Sequence, residues 1–203
     1  MPQITSIEVQ KNNKERANLY IDEKFYCGVS IELCVKHHLK KGEEVDTSLL
    51  DELVLADEKE TAFTKAIKYI STNLKTTHQI ESYLRKKGYG DNTIHYVIDK
   101  MSEYKYLDDE AYARAFIHSF SSKYGKMKLI SALKSKGISD YTIEDVFAGD
   151  VDMVDSISTT ADKYMRNKEI NKQTLDKLSR FLYSRGYEYD DISQVLEKYR
   201  RKM

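Results

Sequence analysis

A phrase of 49 residues returns three times in register without a gap. Leu84, Leu133 and Leu182 hold that spacing, as do Gly88, Gly137 and Gly186, Ile94, Ile143 and Ile192, and Val97, Val146 and Val195. Upstream, Ile80, Leu129 and Leu178 keep it, and so do Phe63, Tyr112 and Ala161. Scattered apolar matches arise by chance. A shared glycine inside an unbroken apolar register does not, so the chain must build one structural unit three times.

Each unit reads as three helices. In the first, Phe63, Ala66, Ile67 and Ile70 recur at the spacing of one helix face. Thr76 with Gln79 forms a capping-box pattern ahead of a second stripe, Ile80, Tyr83 and Leu84. Gly88 stops that helix, because glycine takes the left-handed C′ conformation without a Cβ clash. Asp91 is expected to cap the third helix, with the stripe Ile94, Val97, Ile98 and Met101. The second unit repeats this with Gly125 and Asp140 as caps and Gly137 as the stop. The third uses Thr174 and Gly186, with its second cap displaced one place to Asp190. A unit this small buries little surface alone, and three in tandem can share faces. The expected fold is mainly α: tandem three-helix, helix-turn-helix-like repeats in an elongated array, with a small N-terminal β/α domain.

That N-terminal domain shows in a change of period. Ile4–Val9 and Asn18–Asp22 alternate apolar and polar residues around a polar turn, and Glu23–Ser30 offers a third strand before a helix from Ser30 to about His38. Asp46 or Thr47 caps the segment that follows. The expected division is residues 1–57 for this domain, then repeats at 58–106, 107–155 and 156–203.

The composition excludes several classes. Charged residues are 33% of the 203, and no apolar run nears the ~20 residues that cross a bilayer. The first residues lack the basic and apolar regions of a signal peptide, so a cytoplasmic location is expected. Cys27 and Cys34 are the only cysteines and imply no disulfide framework. Cys34, His37 and His38 fall short of a four-ligand structural metal set and read as a buried thiol beside surface histidines. No phosphate-binding glycine loop, dinucleotide fingerprint, zinc-protease helix or nucleophile elbow occurs. Asp108, Asp109 and Glu110 stack three carboxylates, and they read as a helix start placed against the dipole rather than as a metal site. No catalytic residue, metal or cofactor is expected.

Binding is the better prospect. Lys and Arg equal Asp and Glu at 33 each, yet the charge is uneven. Residues 58–106 hold 9 basic against 6 acidic residues, 107–155 hold 6 against 9, and 156–203 hold 11 against 7. Basic residues gather near the second helices: Arg85, Lys86 and Lys87; Lys123, Lys126 and Lys128; Lys134 and Lys136; Arg180 and Arg185. These are the candidate partner- or nucleic-acid-facing residues, set against the plainer reading of a solvated helix face. The 16 tyrosines offer stacking surfaces, although those in stripes, such as Tyr83 and Tyr112, read as core.

One stretch carries a resemblance. From Tyr106 to Ser139, Leu107, Asp108, Asp109, Tyr112, Ala113, Phe116, Gly125, Leu133, Lys136 and Gly137 follow the central signature of the RecX family. The tandem organisation and the N-terminal segment are similar too. The chain departs from that pattern at His118, where the family often has Arg, and at Lys126, where a Pro often follows the Gly. The resemblance implies a regulator, a negative modulator, that lies in the groove of the RecA recombinase filament and tunes ATP hydrolysis, strand exchange and the SOS response. A monomer with no membrane contact is expected. The alternative is a DNA-binding helical module acting without a recombinase.

Overall fold

The computed structural model describes residues 2–149 and 154–201, without the side chains of 154 and 155. The chain resolves into two compact units, Met1–Asn73 with Glu81–Tyr104, and Leu74–Ile80 with Lys105–Met203.

The first unit opens with the antiparallel sheet β1 (Ile4–Val9), β2 (Arg16–Ile21) and β3 (Lys24–Ser30), in that order. Asp22 (φ 47°) and Glu23 (φ 64°) form the two-residue turn between β2 and β3. Both sit in the left-handed region, whose twist suits a tight hairpin. Helix α1 (Ile31–Lys36) starts at Ser30, whose hydroxyl accepts from the Leu33 amide. A sheet this small needs a cover. It gets one from α1 and from α2 (Thr47–Ile70), which seal Ile4, Leu19, Val29, Leu33 and Leu50 into one core. Helix α2 is continuous across residue 57, so the expected boundary between 57 and 58 falls within a helix. Its second half packs on α4 (Asp91–Glu103), with Ala62 and Ala66 fully buried. Small residues there let the two backbones approach, and the buried Thr93 hydroxyl is satisfied by Glu58 at 2.9 Å.

Helix α3 (Thr77–Lys86) has its first turn in the second unit and the rest in the first. The second unit holds α5 (Asp109–Phe120), α6 (Lys126–Ser135) and α7 (Asp140–Ala148), then α8 (Val154–Met165), α9 (Lys172–Ser184) and α10 (Tyr189–Arg200). Each triplet closes its own core. Ala113, Ile117, Leu129, Leu133, Ile143 and Val146 fill the first, and Ala161, Leu175, Leu178, Leu182, Ile192 and Leu196 the second. Each fully buried Leu or Ile contributes about 2 kcal/mol by removal from water.

The glycine stops stand where the repeat places them. Gly88, Gly137 and Gly186 have φ of 88°, 80° and 85°. The next residue's amide reaches back to the leucine at the same place in each unit: Tyr89 to Leu84, Ile138 to Leu133 and Tyr187 to Leu182. Four caps differ from expectation. Helix α4 is capped by the Gly90 backbone, and Asp91 is already helical. Helix α7 is capped by Ser139, whose hydroxyl takes the Thr142 amide, so Asp140 is released. Helix α9 is capped by Asn171, three residues before Thr174, which gives it an extra turn that α3 and α6 lack. Helix α10 begins at Tyr189, in register with Asp91 and Asp140, so no displacement to Asp190 occurs. An acidic residue favours both the cap and the first turn, and only the backbone dihedrals separate the two. The Thr76–Gln79 capping box does form, with reciprocal bonds of 3.1 and 3.2 Å.

Candidate partner-binding surface

Helix α5 carries Tyr112, Phe116 and Phe120 at every fourth position, so they fall in one line along it, and Tyr124, in the turn after the helix, continues the spacing. The rings of Tyr112, Phe116, Phe120 and Tyr124 follow one another with centroids 6.3, 4.7 and 6.3 Å apart. All four are half-buried. All four pack against the core of α5–α7, and Tyr112, Phe116 and Tyr124 have cations over their rings.

Those cations come from three of the predicted basic residues. Lys136, at the end of α6, holds its ammonium 6.0 Å from the Tyr112 ring and 5.6 Å from Phe116. Lys128, in the first turn of α6, sits 5.1 Å from Tyr124. Arg185, at the end of α9, lies 5.4 Å from Tyr124 and 5.1 Å from Phe181. A fourth, Lys126, lies 5.6 Å from Phe147 on α7. A ring face attracts a cation without neutralising it. These groups are therefore positioned while their charge stays available to an outside anion.

Lys128 and Arg185 meet through backbone docking. The Gly125 amide donates to the Arg185 carbonyl at 2.9 Å, and the Met127 amide to the Gly186 carbonyl at 3.1 Å. The end of α9 thus sits on the start of α6, and Lys128 Nζ donates to the Ser184 carbonyl at 3.2 Å.

The other predicted residues divide. Lys134 is paired with Asp140 at 2.7 Å, and Lys123 and Arg180 stand exposed. In the first unit, Arg85 pairs with Asp91 at 2.9 Å, Lys87 lies 5.6 Å from the Tyr83 ring, and Lys86 is exposed. The three carboxylates that open α5 have structural work. Asp108 accepts from the Ala111 amide, Asp109 from the Thr77 amide, and Glu110 holds Arg114. Sequence reasoning missed Tyr124 and Phe181 as cation seats. The four-residue spacing from 112 to 124 was a visible signal for the first, whereas Phe181 needed the fold.

Tandem three-helix modules that follow a small sheet domain define a modular, mainly helical protein. Family models describe the same parts in the same order. The Regulatory protein RecX N-terminal domain matches residues 2–46, and the first, second and third RecX three-helix domains match 62–101, 108–146 and 150–196. The chain is 37% identical over 201 residues to the regulatory protein RecX of Clostridium tetani, covering 96% of this chain and 93% of the relative. It is 33% identical over 204 residues to that of Bacillus licheniformis, covering 98% and 78%. A crystal structure of regulatory protein RecX superposes with a TM-score of 0.68 at 22% identity, covering 97% of this chain and all of that one. RecX from Lactobacillus salivarius gives 0.64 at 23% identity, over 71% and 97%. The chain belongs to the RecX family of regulatory proteins.

Proposed function

We propose that this chain is a non-enzymatic regulator of the RecA recombinase. It binds the RecA–DNA filament in its groove and acts as a negative modulator of ATP hydrolysis, strand exchange and the SOS response. Membership of the regulatory RecX family carries this reading. The cationic face of α5, α6 and α9 supports it, since a filament groove offers phosphate beside protein. Linked modules with modest contacts add their affinities by raising effective concentration. We place the protein in the cytoplasm, as a monomer. No described helix is long and apolar enough to cross a membrane.

The test is single-stranded-DNA-dependent ATP hydrolysis by RecA of the same organism, with this protein titrated in. Inhibition well below one molecule per recombinase monomer is expected. Unchanged hydrolysis at saturation refutes the proposal.

Lys126, Lys128, Lys136 and Arg185 on their rings favour one second reading, a DNA-binding module that acts without a recombinase. It requires inhibition to appear only when the protein saturates the DNA.

A further inference from the structure

The three modules differ at one pair of equivalent positions. In the first, the end of α3 and the start of α4 are joined by Arg85 and Asp91 at 2.9 Å. In the second, 49 residues on, Lys134 and Asp140 join α6 to α7 at 2.7 Å. In the third, the same two positions hold Tyr183 and Tyr189, at the end of α9 and the start of α10. These tyrosines are 72% and 75% exposed.

Folding does not account for them. Both ion pairs are largely solvent-exposed, and such pairs contribute about 0–1 kcal/mol. Their loss costs the third module little, and two rings in water return nothing to its core. That core is closed beneath them by Leu182 and Ile192. Tyrosine is, however, a preferred anchor of protein interfaces, because it buries a large rigid area at small entropic cost and keeps a polar tip.

The surrounding charge selects the partner. Glu188, Asp190 and Asp191 flank Tyr189 and are all exposed. Arg180 lies one turn before Tyr183, while Arg185 is turned toward Tyr124 and Phe181. Two exposed rings, one of them flanked by three carboxylates, suit guanidinium and ammonium groups, which gain both ring and carboxylate contacts. The same carboxylates repel a phosphate backbone.

We propose that Tyr183 and Tyr189 form a docking contact through which the third module grips arginine or lysine side chains on a protein partner. This rests on the proposed function, and RecA is the partner it predicts. The cationic face on α5 and α6 is then left to the DNA, so one second unit meets protein and nucleic acid through different surfaces.

The test transplants the first module's solution into the third. The full-length double variant Tyr183→Arg/Tyr189→Asp supplies the ion pair at two exposed positions, so a melting curve like the wild type's is expected. Affinity is measured for RecA assembled on single-stranded DNA and, separately, for the bare strand. Weakening by about tenfold or more on the filament, with bare-strand affinity unchanged, is the expected result. Equal filament affinity for both proteins overturns the contact while leaving the regulator reading intact. A fall confined to the bare strand assigns the tyrosines to nucleic acid and also overturns it. If the wild type fails to bind the filament, the regulator reading falls and this contact with it.

Discussion

The hydroxyl of Thr76 donates to the carbonyl of Lys136 at 2.6 Å, although 60 residues separate them. The Gly125 amide makes the equivalent bond to the Arg185 carbonyl one repeat later. The end of one module's second helix therefore rests on the start of the preceding module's second helix, twice in the same register. Glycine is needed at these ends for two reasons. It takes the positive φ, and it leaves room for the helix below. A Cβ at Gly137 would overlap the His78 side chain, and one at Gly186 would overlap Lys128.

Gly88 shares the positive φ, but a Cβ there meets nothing within 4 Å among the described residues. Gly88→Ala is therefore expected to cost only the backbone strain, about 1–2 kcal/mol. Gly137→Ala and Gly186→Ala add steric displacement and should each cost at least ~1 kcal/mol more. Gly137→Val should be worse still, since a β-branched residue tolerates positive φ poorly. Urea unfolding of the variants checks the order, and equal losses at Gly88 and Gly137 refute the docking account.

Thr76 is fully buried and serves the capping box as well as the Lys136 carbonyl. Thr76→Ala should lose about 2–3 kcal/mol, a lost cap together with a stranded carbonyl. Thr76→Ser should recover most of it. Denaturant midpoints of the two variants decide the matter, and similar midpoints would sink it.

Alkali should loosen the N-terminal sheet. The hydrogen bond to Asp51 pushes the Tyr26 hydroxyl up to about 12, and burial, with Asp51 nearby, pushes the Cys27 thiol up to about 11. Both folded values lie above the unfolded ones. Their stabilisation is therefore complete below the ordinary thiol value of about 9 and drains away as pH rises through about 11 and 12. Denaturant midpoints taken across that window should fall, and Tyr26→Phe should blunt the fall. A flat profile contradicts it. Native Cys27 and buried Cys34 should also react slowly with a disulfide reagent near pH 8 and rapidly once unfolded, because the thiolate is the nucleophile.

The cationic face gives a salt-dependent prediction. Replacing Lys123, Lys126 and Lys128 with Ala should reduce the log–log salt slope of bare-DNA binding by up to about three. An unchanged slope would remove these lysines from the DNA contact.

Much of the architecture was legible before any coordinates. The stripes, the glycine stops and the change from period two to helical period are local signals, because a helix face and its C-terminal turn are set within a few residues. The cap positions at Asp91, Asp140 and Thr174 were not legible to the residue. Asp, Ser, Asn and Thr all favour a helix start, and the choice of Ser139 over Asp140 turns on one residue's ψ. The continuity of α2 across residue 57 was hidden because its two halves pack on different partners, one on the sheet and one on α4.

The basic residues show the same division. Sequence alone determined which cations exist and that they cluster near the second helices, because that needs only composition and helical period. Tertiary structure decided which lie over a ring and which pair with a carboxylate. It set Arg185 over Tyr124, 61 residues away, and brought Lys128 to the same ring. It also closed Lys134 onto Asp140 while leaving Tyr183 and Tyr189 in solvent. The reason is one of range. Backbone preference and hydrogen bonding act over a turn of chain, whereas a cation's availability depends on whichever side chain the packed core carries beside it.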